Sequence, residues 1–302
     1  RHPVFFKPQL HGKPVSQKQR DLMTSLVRRI GEVADREGTR RGRPLPIAVR
    51  VPDSVEFCKR IGLDVERWLD EGLIDMMVVS GYFRLNPWKT SVELGHRYHV
   101  PVFASLDEPR FRNKEFQNAR RSIECQRARA LDAWRSGVDG IYLFNYFHPT
   151  LPACNELDDP EALMTMDKLY TTGAREFRSA RSWLAGAKEC LNRPLCLPER
   201  PKTLSVDKPA RVTLDVHDRV VQNGGTATLR LYTTGVGDAE NLKVTLNGHR
   251  LGGAKQEGRW TQFAVKPSLV KTGKNTFAVS LNEPEKKKAV LSDLLLWIRY
   301  GK

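Results

Sequence analysis

The sequence predicts an α/β fold, the C-terminal half of a (β/α)8 TIM barrel followed by a jelly-roll-like antiparallel β-sandwich, and three observations predict it. Up to about residue 190, amphipathic helical stretches alternate with short apolar runs, the pattern of right-handed βαβ units on a parallel sheet. A proline-rich stretch, LNRPLCLPERPKTL at 191–204, then breaks the pattern, because clustered prolines continue neither a helix nor a central strand. Beyond it the apolar period shortens to two. The 302 residues suffice for one large core or two ordinary ones, and the expected domains are 1–200 and 201–302.

The first helix is expected over 16–38, where Leu22, Leu26, Ile30 and Val33 recur at spacings of three and four. Ile47 to Val51 reads as the strand that follows. DVERWLDEGL at 64–73 reads as a helix closing near Gly72, and IDMMVVSGYF as the second strand. SVELGHRYHV supplies a short helix into a third strand, PVFASLDEP at 101–109. A long helix over 115–137 ends at Gly137, and GVDGIYLFNYFHP carries the fourth strand. Its apolar run from Ile141 to Tyr146 lacks helical spacing, as in a strand buried on both faces. One or two helices are expected across roughly 158–191. VTLDV, ATLRLYT, LKVTLNG, TQFAVK, NTFAVSL and LLLWIRY then alternate between Gly, Asn and Pro turns, which predicts two antiparallel layers.

The formal charge is +15. Residues 201–302 hold 17 basic and 9 acidic residues, net +8, leaving 33 against 26, net +7, for the first 200. A charge dispersed in this way argues against a nucleic-acid partner, whose binders concentrate basic residues in one arm or helix. The densest runs, REGTRRGR at 36–43 and EKKK at 285–288, sit beside turn residues and read as solvated loops, with a polyanion contact as the alternative. No 18-residue apolar run predicts a membrane span. The five cysteines match neither a dense disulfide framework nor a zinc site, although Cys190 and Cys196 are close enough in sequence to bridge.

Polar residues gather just past the strand ends, where barrel enzymes place their chemistry. Asp107 and Glu108 are the first candidates for acid/base work; adjacent strand residues point to opposite faces, so at most one of them faces the centre. Asp53 is a further candidate, and Pro52-Asp53-Ser54 suits a turn or helix cap equally well. Arg50, Tyr82 and Asn145 offer a donor fork, an aromatic face and an amide for holding a sugar. The alternative is that Arg50 pairs with an internal carboxylate and Asn145 satisfies backbone. His148 stands at the same end, as a sugar donor or as loop packing. His96 and His99 form HxxH at a strand's amino end, the stability face. No GxGxxG, P-loop, GxSxG or HExxH occurs in a credible context, so no cofactor and no metal are expected.

RHPVFFKP, the stretch from PIAVRVPDS to GYFRLNP, VPVFASLDE, GVDGIYLFNYF and ALMTMDKLY together resemble the second half of the family-10-like glycosylhydrolases, over about residues 1–200. The resemblance implies strands five to eight of a barrel in an exported bacterial protein acting on a poly- or oligosaccharide through paired carboxylates. It also implies that one catalytic carboxylate lies on a fourth strand before Arg1, and a half barrel leaves an unpaired edge on each side. SLVKTGKNTFAVSL, with LKVTLNGHRL and DLLLWIRY around it, resembles the galactose-binding-like modules of glycosidases. That resemblance offers Trp260 and Trp297 as sugar contacts, although the apolar setting of Trp297 reads as core. Two function classes follow: a glycoside hydrolase, or a non-catalytic carbohydrate-binding or scaffold protein. The oligomeric state is left open.

Overall fold

Two units share this chain, and their segments interleave. Arg1–Asp107, Ser136–Tyr146 and Phe177–Pro194 form the first; Glu108–Arg135, Phe147–Glu176 and Leu195–Lys302 form the second. The structure, a computed structural model, describes residues 6–11, 13–80, 84–106, 111, 113–144, 146–172, 187–193 and 197–301.

The first unit opens with α1 (Lys7–Leu10) and α2 (Gln17–Arg41). Ser16 starts α2 with a reciprocal cap: its hydroxyl accepts from the Gln19 N–H, and the Gln19 side chain accepts from the Ser16 N–H. Gly42, at φ +66, ends it in the left-handed conformation that favours glycine. Next come β1 (Ala48–Val51), α3 (Val55–Ile61), α4 (Val65–Asp70), β2 (Met76–Ser80), α5 (Trp88–Arg97) and β3 (Val102–Leu106). After α6 (Lys114–Arg121) and α7 (Ile123–Arg135), both in the second unit, β4 (Gly140–Leu143) completes a parallel sheet in the order β1-β2-β3-β4.

Along one face of this sheet Val51, Met77, Val79, Val102, Ala104 and Leu106 are all buried. Helix α5 lies on that face, for a Cβ on Gly95 would fall 2.3 Å from Val102 Cγ2. Two aspartates stitch neighbouring strand starts. Asp75, before β2, accepts from the Ile47 N–H at 2.6 Å, and Asp139, before β4, accepts from the Val102 N–H at 2.7 Å.

The half-barrel expectation is overturned. What forms is a four-stranded parallel sheet, and among the described residues β1 and β4 each pair on one side only. Alternating helices and strands dictate parallel pairing in sequence order; closure needs further strands with matched tilt and shear.

The second unit continues with α8 (Ala153–Glu156), α9 (Pro160–Leu163), β5 (Lys168–Thr171), β6 (Lys202–Thr203), β7 (Ala210–Val216), β8 (Thr226–Thr234), β9 (Leu242–Leu246), β10 (His249–Leu251), β11 (Lys255–Glu257), β12 (Trp260–Val265), β13 (Gly273–Leu281) and β14 (Val290–Arg299). One antiparallel sheet runs β10-β9-β13-β7 and the other β11-β12-β8-β14-β5, with β6 also on β14. Alternate residues of the longer strands, among them Val212, Val244, Phe277, Leu231, Phe263 and Leu296, enter one shared core.

The other face of the larger sheet is covered by α6 and α7. Phe116 and Trp260 each stand edge-on to Tyr232, with centroids 5.0 and 5.2 Å from it, and Cys125 packs with Leu169, Leu295 and Trp297. Arg120 and Asp293, both fully buried, form a two-pronged ion pair at 2.7 Å that fixes α6 to β14. Both tryptophans are thereby placed in packing beneath helices. Two local expectations are also corrected. The expected helix over 115–137 breaks at Ser122, which is extended and accepts from the Cys125 N–H to begin α7. Within the expected helix over 158–191, residues 168–171 instead form β5, paired antiparallel with β14.

Candidate functional site

The face of the parallel sheet opposite α5 carries the candidate site. Residues two apart on a strand share a face, as do register partners. Arg50 stands beside Val78, Val78 beside Phe103, and Phe103 beside Gly140; one step on, Ser80 stands beside Ser105 and Ser105 beside Tyr142. Gly140 is required there, since a Cβ would lie 2.3 Å from Phe103 Cε1.

The Arg50 guanidinium lies 3.9 Å from the ring centroid of Phe144, the residue after β4. Edge strands of a flat four-stranded sheet stand about 14 Å apart. The extended side chains of Arg50 and Phe144 thus meet over the two central strands. Such a contact contributes about 0.5–2 kcal/mol. Val78, Ser80 and Ser105 are buried at the centre, while Arg50 and Tyr142 are exposed at the rim. Ser80 holds φ +71, a left-handed conformation uncommon outside glycine. The Ser105 hydroxyl is fully buried and has no hydrogen-bond partner among the described residues. A donor fork and aromatic faces are groups that can hold a polyhydroxylated ligand.

Asp53 occupies a different role. It is 4% exposed, and its carboxylate accepts from the Leu85 N–H at 2.9 Å and the Asn86 N–H at 2.9 Å. The Asn86 amide donates back to the Asp53 carbonyl at 2.6 Å, and Asn192 donates to Asn86 at 2.7 Å. Burial pushes the Asp53 carboxyl above the ordinary carboxylate range, against the opposing pull of the Asn86 and Leu85 N–H groups and the Arg84 charge. The arrangement latches the segment after β1 to the segment after β2.

His148 lies in the second unit, exposed, with its carbonyl accepting from the Leu151 N–H at 3.1 Å. Asp107, Glu108, Tyr82 and Asn145 lie outside the described residues. Of the three candidates among the described residues, Arg50 stands on the sheet face just described and Asp53 in the latch. His96 contacts Asp139 at 2.8 Å; burial raises the Asp139 carboxyl, but the Val102 N–H and His96 outweigh it and hold the group below its usual range. Among the described residues no group of three His, Cys, Asp or Glu is arranged to hold a metal. Cys190 is a buried free thiol. In the second unit the segments after β8 and β13 line an open hollow of about 910 Å³. Its Glu285 is already engaged by the Gly237 N–H at 3.0 Å and the Asn241 amide at 2.9 Å.

Sequence reading missed Ser105, Tyr142 and Phe144. The signal that finds them is register: each becomes visible once β3 and β4 are aligned with Arg50. Searches with protein-family models and against curated proteins found no match for the chain.

Proposed function

We propose that the protein binds a poly- or oligosaccharide on the face of its parallel sheet opposite α5, with Arg50, Tyr142 and Phe144 as the contact surface. The observation that carries this reading is the Arg50–Phe144 contact across the sheet, with Tyr142 exposed at the rim. Aromatic rings supply stacking for sugar faces and the fork supplies directed donors. The strand-end resemblance to family-10-like glycosylhydrolases supports the same ligand class and an exported protein. Hydrolysis is the second reading, supported by Asp107 and Glu108 following β3 directly in sequence.

Affinity electrophoresis against a panel of soluble polysaccharides tests the binding. Retardation by at least one of them is expected, with Arg50→Ala and Tyr142→Ala each weakening it about tenfold, roughly 1.4 kcal/mol. Unretarded migration on every polysaccharide removes the proposal. Release of reducing ends, compared for Asp107→Asn and Glu108→Gln, decides between hydrolysis and binding alone.

A further inference from the structure

We infer that the outward ridge of α2 is a docking surface for an anionic lipid bilayer, on which the helix lies without crossing it. This inference is independent of the glycan reading. The inner side of α2 is anchored: Thr24, Val27 and Gly38 are buried, and the Trp68 indole donates to the Thr24 hydroxyl at 3.0 Å. Arg28 pairs with Glu71 and Arg67 with Asp21, so the rotation of the helix about its axis is fixed.

With about 100° of turn per residue, Leu22, Leu26, Ile30 and Val33 fall within about 80° of one another and roughly 130° from the buried side. They are 60%, 47%, 48% and 47% exposed. An apolar stripe at helical spacing normally faces a core. Here it is turned outward.

About 60° round the helix, on one flank of this stripe, Lys18, Arg29, Arg36 and Arg40 form a basic row. Arg40 pairs with Glu37, whereas Lys18, Arg29 and Arg36 have no acidic partner among the described residues. Aliphatic side chains beside a basic row are the features of a helix that lies in a membrane interface. The apolar side chains enter the acyl boundary and the basic ones meet anionic headgroups. No helix among the described residues is long and apolar enough to span a membrane.

Area and charge favour lipid over a protein partner. Half-exposed, the four side chains present on the order of 300–400 Å², the size of the largest apolar patch on ordinary monomers. Stable protein interfaces bury about 800 Å² per partner. A second copy of this +15 chain, packed antiparallel through α2, would set one basic row against the other.

Co-sedimentation tests the inference, using vesicles of phosphatidylcholine alone and of phosphatidylcholine mixed with phosphatidylglycerol. Binding is expected to the mixed vesicles only. Leu26→Glu with Ile30→Glu should weaken it at least about tenfold, as should Arg29→Glu with Arg36→Glu. Lys286→Glu with Lys287→Glu, an equal change in charge on the second unit, should leave it unchanged. Thermal melts confirm folding, and Leu26→Ser with Ile30→Ser replaces the glutamate pair should that pair unfold. Three outcomes would overturn the inference: no binding to mixed vesicles, an equal loss from the Lys286/Lys287 pair, or a dimer in solution that the ridge substitutions dissociate.

Discussion

Asp53 and Asp139 are aspartates at opposite ends of strands, and their surroundings drive them in opposite directions. Asp53 is raised because burial outweighs its N–H donors, so folding favours its proton. Its contribution is complete at acid pH, below the unfolded carboxylate's range, and is lost as pH rises through the folded value. Asp139 is lowered, so its contribution is present above the unfolded value and is lost as pH falls through the folded one. Urea unfolding of Asp53→Ala and Asp139→Asn against the parent, from acid to neutral pH, should therefore give destabilisations of opposite slope: larger in acid for Asp53, larger at neutral pH for Asp139. Asp53→Ala should cost about 2–4 kcal/mol, since it leaves the Leu85 and Asn86 N–H groups unpaired in a buried site. A cost below about 1 kcal/mol would exclude the latch as a stabilising device. In sequence, Asp53 could be read as an acid or a cap; the distinction depends on Leu85 and Asn86, more than thirty positions away.

Helices α2 and α5 each contain a glycine whose replacement should act in opposite directions. A Cβ on Gly31 meets nothing within 4 Å, so Gly31→Ala should stabilise by about 0.5–1 kcal/mol through helix propensity alone. A Cβ on Gly95 would lie 2.3 Å from Val102 Cγ2 and 2.7 Å from the Val100 carbonyl oxygen, so Gly95→Ala should destabilise by about 3 kcal/mol through overpacking. Urea midpoints of the two variants check both signs. Much of each element was readable locally. The Ser16–Gln19 cap, the glycines ending helices and the period-two strands are signals carried within a few residues. What was not readable is partnership. The amphipathic pattern of 115–137 shows that a face is buried but not that it is buried on the antiparallel sheet. β5, four residues long, is too short for a period and becomes a strand through pairing with Leu295–Ile298. The bonds that the aspartates before β2 and β4 make to the Ile47 and Val102 N–H groups are likewise set by pairing between strands.

At the scale of the whole molecule, the two compact units are built from interleaved segments, with α6, α7 and β5 in the second. Residues 201–302 expressed alone would leave Tyr232, Trp260, Leu295 and Trp297 without their helical cover. That fragment should bind the dye ANS and unfold without a sharp transition, whereas fluorescence and cooperativity equal to those of the full chain would argue that 201–302 is self-sufficient. The Arg120–Asp293 pair joins positions 173 residues apart. Asp293→Leu alone should cost about 3–5 kcal/mol by stranding a buried guanidinium, and Arg120→Met added to it should recover most of that, as a double-mutant cycle in urea would show. β14 lies between β8 and β5 in the larger sheet. During synthesis at about 5–20 residues per second, β5 emerges on the order of 10 s before the strand that will join it to β8. From the emergence of β8 until that of β14, both strands lack their central partner and stand as unpaired edges exposed to mispairing.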